Sequence, residues 1–284
     1  MSITVNTNMQ ALRIQQNLTG STNKMNQAML RMSTGSKINS AKDDAAGLAV
    51  STTLGKTISA SKVASDNVKI GNDLLSTAEG TLDVIMTNLV RVRDLTEQSA
   101  NGTYSSTDRA GIAAEVNARL TEVANLASSS TFNSIALFGG SASTGVSLQV
   151  GVGSSDTVTL DSTIFGGIGA STGLGGANLT GLSASVNAGG TAASAYLATL
   201  DTAITAITTR QTSIGAAQNQ LEAVSDGLTV QQTNLTSAKS TITDADVAEE
   251  SANFVKNQIL QQASASLLVQ ANSAPQIALT LIKG

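Results

Sequence analysis

Leu200, Ile207, Ile214, Leu221, Leu228, Leu235 and Ile242 stand at one unbroken seven-residue interval. An apolar residue every seven positions marks the seam of a long helix lying lengthwise against other helices. Leu197 and Ile204 fill the intervening heptad position at first; Gln211, Gln218 and Gln232 then take it over. Those polar positions argue against a simple two-stranded zipper. A second stripe, Leu75, Ala78, Leu82, Ile85, Leu89 and Val92, alternates steps of three and four within a helical tract predicted from about Ser40 to Ala100. Gly102 is placed to end that tract. Thr107–Asp108 is placed to start a shorter helix with Ile112, Val116, Leu120 and Val123 inward.

The ends carry stripes of their own. Ala11, Ile14, Leu18, Ser21, Met25, Ala28 and Met32 share a face, closed by Gly35. Leu260, Ala263, Leu267, Ala271, Ala274 and Leu281 do likewise, less strictly. The middle differs in kind. No Lys or Arg occurs between Arg119 and Arg210, and residues 139–190 hold 14 of the 25 Gly. Within it, 147–152 (SLQVGV) and 156–162 (DTVTLDS) alternate like short strands. The pattern predicts a mainly α chain: long antiparallel helices in a coiled-coil-like bundle, paired terminal helical arms, and small β-hairpins in a Gly/Ser/Thr-rich centre. That centre is expected to face outward and to tolerate deletion.

Composition narrows the chemistry. With neither His nor Cys, Ser-His-Asp triads, Cys nucleophiles and the usual zinc sites are excluded. The glycines form no strand–GxGxxG–helix unit. No catalytic, cofactor or metal residues are expected. A net charge of -4 with no basic cluster argues against nucleic acid. Only four Phe and two Tyr leave little for a thick core, so small aliphatic residues in narrow helix seams must serve instead. No stretch reaches 18 apolar residues, so no membrane insertion is expected. The opening MSITVNTNMQ lacks the pattern of a cleaved signal peptide.

KINSAKDDAAGL (37–48) superficially suggests a metal or phosphate site, but no third ligand motif accompanies it. Ser40 with Asp43 fits a capping box, and Asp43 and Asp44 would sit in the first helical turn, where free amides favour negative charge. Thr243 with Asp246 repeats the signature. There are 39 residues before Ser40 and 41 after Thr243, so two hinge joints with arms of nearly equal length are expected. Nearly uncharged arms rich in Ala, Gln, Asn and Ser bury little surface in one isolated pair, and are expected to remain largely disordered in the monomer and to order only within a polymer.

VNTNMQALRIQQNL (5–18), RMSTGSKINSAKDDAAGLAVS (31–51), NLVRVRDLTEQSANGT (88–103) and NSAPQIALTLIKG (272–284) together resemble the bacterial flagellin family. The resemblance covers about residues 1–138 and 195–284. Met32 and Thr34 stand where Leu and Ser are commoner. It implies a subunit that polymerises into the extracellular flagellar filament used for swimming. Residues 1–39 and 244–284 would form an inner tube, 40–138 and 195–243 an outer tube, and 139–194 a variable region facing solvent. It also implies export without cleavage through the flagellum's own type III apparatus. The implied partners are further copies of the chain, an export chaperone on the C-terminal arm, filament cap and hook–filament junction proteins, and an animal Toll-like flagellin receptor contacted through Arg91, Leu95 and Glu115. Arg91 and Leu95 lie four apart, about 100° from the Leu82–Val92 seam, so both are expected at the surface. A plainer role for Arg91, Leu95 and Glu115 is contact between neighbouring subunits, with Glu115 pairing with Arg119.

Two alternatives differ in class or scale. A hook–filament junction protein shares flagellin-like ends. A secreted membrane-active amphipathic protein would carry a cationic face, whereas residues 257–282 are uncharged. An enzyme of the family's peptidase-bearing kind would need an HExxH motif, which a chain without His lacks.

Overall fold

The computed structural model describes residues 7–139, 141–168, 174 and 177–283, with side chains as far as Ser273 in the last helix. Two units divide the chain: Met1–Ile58 with Thr233–Gly284, and Ser59–Gln232. The helices are α1 (Met9–Thr34), α2 (Ala45–Ala100), α3 (Ser106–Ser129), α4 (Ser162–Phe165), α5 (Leu182–Ala188), α6 (Gly190–Ser194), α7 (Leu197–Thr243) and α8 (Val247–Lys283). Two hairpins, β1–β2 (Thr131–Phe132 with Ile135–Ala136) and β3–β4 (Val146–Gln149 with Thr157–Leu160), lie between α3 and α4. The mainly α architecture with small antiparallel hairpins is as the hydrophobic pattern predicts. Among the described residues no helix is long and apolar enough to cross a membrane.

In the Ser59–Gln232 unit, α2 runs antiparallel to α7. Arg93 meets Asp201 at 2.6 Å, Asp83 meets Gln211 at 2.6 Å, Glu79 meets Gln218 at 3.2 Å and Ser61 meets Gln231 at 3.4 Å. Gln211 and Gln218 of the polar heptad position thus face acids on α2. The α2 stripe is fully buried from Leu75 to Val92, as are Leu200, Ile207, Ile214 and Leu221 on α7, with Leu228 nearly so. In the other unit Leu235 and Ile242 are only half-buried. Helix α3 starts at Ser106, one residue before the expected Thr107–Asp108, because Ser105 is the N-cap and forms a capping box with Asp108. Val116 and Val123 are buried, while Ile112 and Leu120 are partly buried against the core.

The centre departs from expectation. Besides the anticipated β3–β4 hairpin it contains the helical turns α4, α5 and α6; the β1–β2 hairpin, whose turn residues Asn133 and Ser134 adopt positive φ, precedes it. Its apolar residues do not face outward. Leu160, Phe165, Leu174, Leu182 and Val186 are fully buried in the same core as the α2 and α7 stripes. Leu148 of β3 sits in a notch at Gly71, where any Cβ would collide with it, and Asn67 Nδ2 donates to Gln149 O at 2.9 Å. Buried Arg210 of α7 donates to the carbonyls of Ile164 (3.4 Å), Gly166 and Gly167 (3.4 Å), and Arg109 of α3 donates to Asn187 O (3.2 Å), so cations from the long helices hold the backbone of this Gly-rich tract. Desolvation lowers the pKa of the Arg210 guanidinium. With few aromatics in the chain, the α2 and α7 seams share their core with apolar residues of the central segment.

In the terminal unit α1 and α8 pair antiparallel. Asn8 Nδ2 donates to Ala271 O (2.8 Å), Gln261 Nε2 to Thr22 Oγ1 (3.1 Å) and Arg31 Nη1 to Glu250 Oε1 (3.0 Å). Every member of the α1 stripe is buried or half-buried on this side, and Gly35 ends the helix at φ 66°.

Candidate assembly surfaces and the joint of the terminal arms

The joint is built from both ends of the chain. Lys37 N–H and the Ser36 hydroxyl donate to Thr243 O at 2.6 and 3.1 Å, and Ala245 N–H donates to Gly35 O at 3.0 Å, forming a bridge between Ser36 and Asp244. The two predicted hinges are one hydrogen-bonded crossing.

Its capping differs by a few residues from expectation. Ser40 is not the helix N-cap: residues 41–43 form a turn and α2 begins at Ala45. Asp44 is the cap, accepting from Gly47 N–H at 2.8 Å. Ser40 and Asp43 are nonetheless paired. Asp43 Oδ2 accepts from the Ser40 hydroxyl (3.0 Å) and from the N–H groups of Ser40 (2.9 Å) and Asn39 (3.2 Å), closing the turn ahead of the helix. Led by the Ser40 hydroxyl, these bonds hold the Asp43 carboxyl below its ordinary pKa. Likewise Thr243 is the last residue of α7 and Asp246 alone caps α8, accepting from Ala248 N–H (2.8 Å) and Glu249 N–H (3.3 Å). Asp244 is held low chiefly by the Ser240 hydroxyl at 2.5 Å, then by Thr243. Gly47 is required here, since a Cβ would clash with Asp44 and lie 2.7 Å from Ile38 Cδ1.

The α8 stripe lies one residue from where apolar spacing put it. Leu260 and Leu267 are exposed, the latter 57%, whereas Phe254, Asn257, Gln261, Ser264, Leu268 and Ala271 line the face toward α1. Ala271 is the member of the expected set found buried; Ala274 and Leu281 lie outside the described side chains. The reason is that the paired face mixes apolar Phe254, Leu268 and Ala271 with polar groups that find partners: Glu250 with Arg31, Gln261 with Thr22, and Asn257 with Asn253 O at 2.7 Å. Apolar residues are thereby left outside. Val255, Ile259, Leu260, Leu267 and Val269 on α8, and Met9, Leu12, Met29 and Leu30 on α1, are exposed. Ser251, Val255, Lys256, Ile259 and Leu260 border a shallow groove of about 650 Å³.

Leu95 is also relocated. It is 2% exposed and belongs to the core. The seam runs on past Val92, through Leu95 and Thr96 to Ser99, whose hydroxyl donates to Val186 O of α5. Burial by α3, α5 and α7 widens the inward face of α2 beyond the stripe visible in sequence. Arg91 is at the surface, and its Nε and Nη2 bond Glu115 Oε1 and Oε2 of α3 at 3.0 and 3.4 Å. Glu115 thus pairs across two helices, with Arg119 a longer contact at 3.6 Å. Arg91 is the main cause that depresses the Glu115 pKa.

Large apolar outer faces on both terminal helices, without a partner among the described residues, are the mark of a chain completed by other chains. That is the build of a self-assembling structural subunit. A model of the bacterial flagellin N-terminal helical region matches residues 5–143, and one of the bacterial flagellin C-terminal helical region matches residues 197–282. A flagellin of Halalkalibacterium halodurans is 34% identical over 279 residues, covering 98% of this chain and 99% of its own. A flagellar filament 30.7 kDa core protein of Treponema maltophilum is 35% identical, covering 89% of this chain and 90% of its own. The chain belongs to the bacterial flagellin family, whose members are structural subunits of the flagellar filament. A solved structure described as a flagellar hook-associated protein from Vibrio parahaemolyticus shares the fold at TM-score 0.61, with 18% identity, covering 71% of this chain and all of that one. That likeness is one of fold alone; the sequence relatives favour filament subunit over junction protein.

Proposed function

We propose that this chain polymerises through the outer faces of its terminal helices. Residues 1–39 and 244–284 would form the inner tube of the filament, 40–138 and 195–243 the outer tube, and the surface of 139–194 would face solvent. The observation that carries this reading is the apolar surface left uncovered on α8: Val255, Ile259, Leu267 and Val269 stay exposed although the helix already pairs with α1. Packing that hides these side chains from water supplies the driving force, at roughly 25 cal/mol per Å² of apolar area. The same groove beside Val255 and Ile259 suits an export chaperone that covers the arm before assembly. Cap and junction proteins would meet the same surfaces at the filament ends.

The test is seeded growth. Ile259→Asp and Val269→Asp should leave α1–α8 pairing and monomer helicity unchanged while abolishing elongation from sheared filaments, scored by electron microscopy. Normal elongation by both variants rejects the outer face of α8 as the assembly surface. A second reading concerns recognition by an animal Toll-like flagellin receptor, supported by the exposed Arg91–Glu115 pair. Leu95, being buried, would act there by fixing α2 and not by entering a receptor pocket. A reporter-cell response to monomer that is undiminished by Arg91→Ala rejects this assignment.

A further inference from the structure

The chain has six Met, and five of them fall within its first 32 residues. Met1 lies outside the described residues; Met9, Met25, Met29 and Met32 all stand on α1, and Met86 packs partly buried against the core of the other unit. The four on α1 are not equivalent. Met9 and Met29 are 57% and 51% exposed, outside the stripe that faces α8. Met25 and Met32 are half-buried within that stripe, and Met32 Sδ accepts a hydrogen bond from the Ser251 hydroxyl at 3.3 Å.

We infer that Met9 and Met29 are peroxide oxidation sites through which an oxidant blocks assembly of the free subunit. The sulfur lone pair attacks one oxygen of hydrogen peroxide, the O–O bond breaks, and a sulfoxide and one water result. The sulfur loses two electrons and the peroxide gains them. Thioether reactivity follows exposure, so the two outward sulfurs react first. Met32, half-buried with its sulfur engaged by Ser251, and Met86, packed on the core, react later. Conversion replaces a soft apolar contact by a strongly hydrated dipole on the outer surface of α1. The fold of the monomer is not touched, because neither side chain belongs to the α1–α8 stripe. What is lost is burial of that surface against a second copy of the chain, so the inference rests on the assembly reading above. Once a subunit is packed in the filament, the same sulfurs are covered, which confines sensitivity to the unassembled state.

The test uses the full-length monomer treated with limiting hydrogen peroxide. Peptide mapping by mass spectrometry then follows each methionine, and growth from untreated seeds is measured in parallel. Met9 and Met29 are expected to gain oxygen several-fold faster than Met25, Met32 and Met86. Helicity should be unchanged and elongation largely lost. Methionine sulfoxide reductases should restore growth, and a Met9→Leu/Met29→Leu double variant should elongate after the same treatment. Elongation undiminished with Met9 and Met29 fully oxidised overturns the inference, as does faster reaction at Met86, or loss of growth that the reductases do not reverse. Untreated chain that fails to elongate at all rejects the assembly reading, and the inference with it.

Discussion

Phe165→Ala tests whether the Gly-rich centre is core or appendage. Phe165 closes the short helix α4 and is fully buried in one cluster with Leu82, Leu89, Ile207 and Ile214. Transfer of a buried Phe side chain to water accounts for about 1.5–3 kcal/mol. The cavity left when neighbours relax incompletely adds to it, giving about 3–5 kcal/mol in all. Collapse is restricted here, because Arg210 holds the carbonyls on either side of Phe165. We therefore expect about 4 kcal/mol, the middle of that range. For a unit the size of Ser59–Gln232 this corresponds to a fall of roughly 8–16 °C in the midpoint. The assay is urea and thermal unfolding followed by far-ultraviolet circular dichroism, which reports chiefly on α2, α3 and α7. Val152→Ala, at an exposed hairpin position, serves as the control and should change stability by about 0.5 kcal/mol or less. If Phe165→Ala also shifts helix unfolding by less than about 1 kcal/mol, the centre does not share a cooperative core with the long helices.

Leu221→Asp should cost several kcal/mol through an unpaired charge in a closed seam, whereas Leu235→Asp, half-buried, should cost markedly less in the same unfolding assay; equal losses would contradict the burial gradient along α7. Arg91→Ala should raise the Glu115 pKa toward its ordinary value, followed by carboxyl NMR titration, since Arg91 is the first cause of its depression. Asp43 and Asp244 are both held low in the folded joint, so their contribution is present above the ordinary carboxylate pKa and is lost as pH falls through the lowered folded values. Protection of the amides around residues 36–47, relative to their intrinsic exchange at each pH, should therefore fall in acid, and Asp43→Asn should already show low protection at neutral pH; wild-type protection that does not change with pH would refute this. Asp44→Ala and Asp246→Ala should each cost about 1 kcal/mol, with Thr243→Ala far less, because only the two aspartates cap helices.

Periodicity by itself determined a great deal. The Leu75–Val92 and Leu200–Leu228 seams, the inward stripe of α1, its end at Gly35 and the two joints are local or strictly periodic signals, and each is written in consecutive residues. Four ordered sequence blocks were enough to point to the family. What periodicity could not reveal is which face of α8 is used. Apolar residues occupy both sides of that helix, and the choice rests on partners distant in the chain: Arg31 for Glu250 and Thr22 for Gln261. Leu95 was misplaced for a related reason, because helices from three other parts of the chain cover α2 and widen its buried face. The centre was misread because Gly, Ser and Thr signal loops locally. Its buried Leu160, Phe165, Leu174 and Leu182 are scattered without period, and the core they enter is made by the α2 and α7 seams, both far away in sequence. Local hydrogen bonding and periodic burial can be read along a chain. Burial that depends on what packs from elsewhere is decided by the tertiary structure, since its free energy belongs to the pair of surfaces and to neither segment alone.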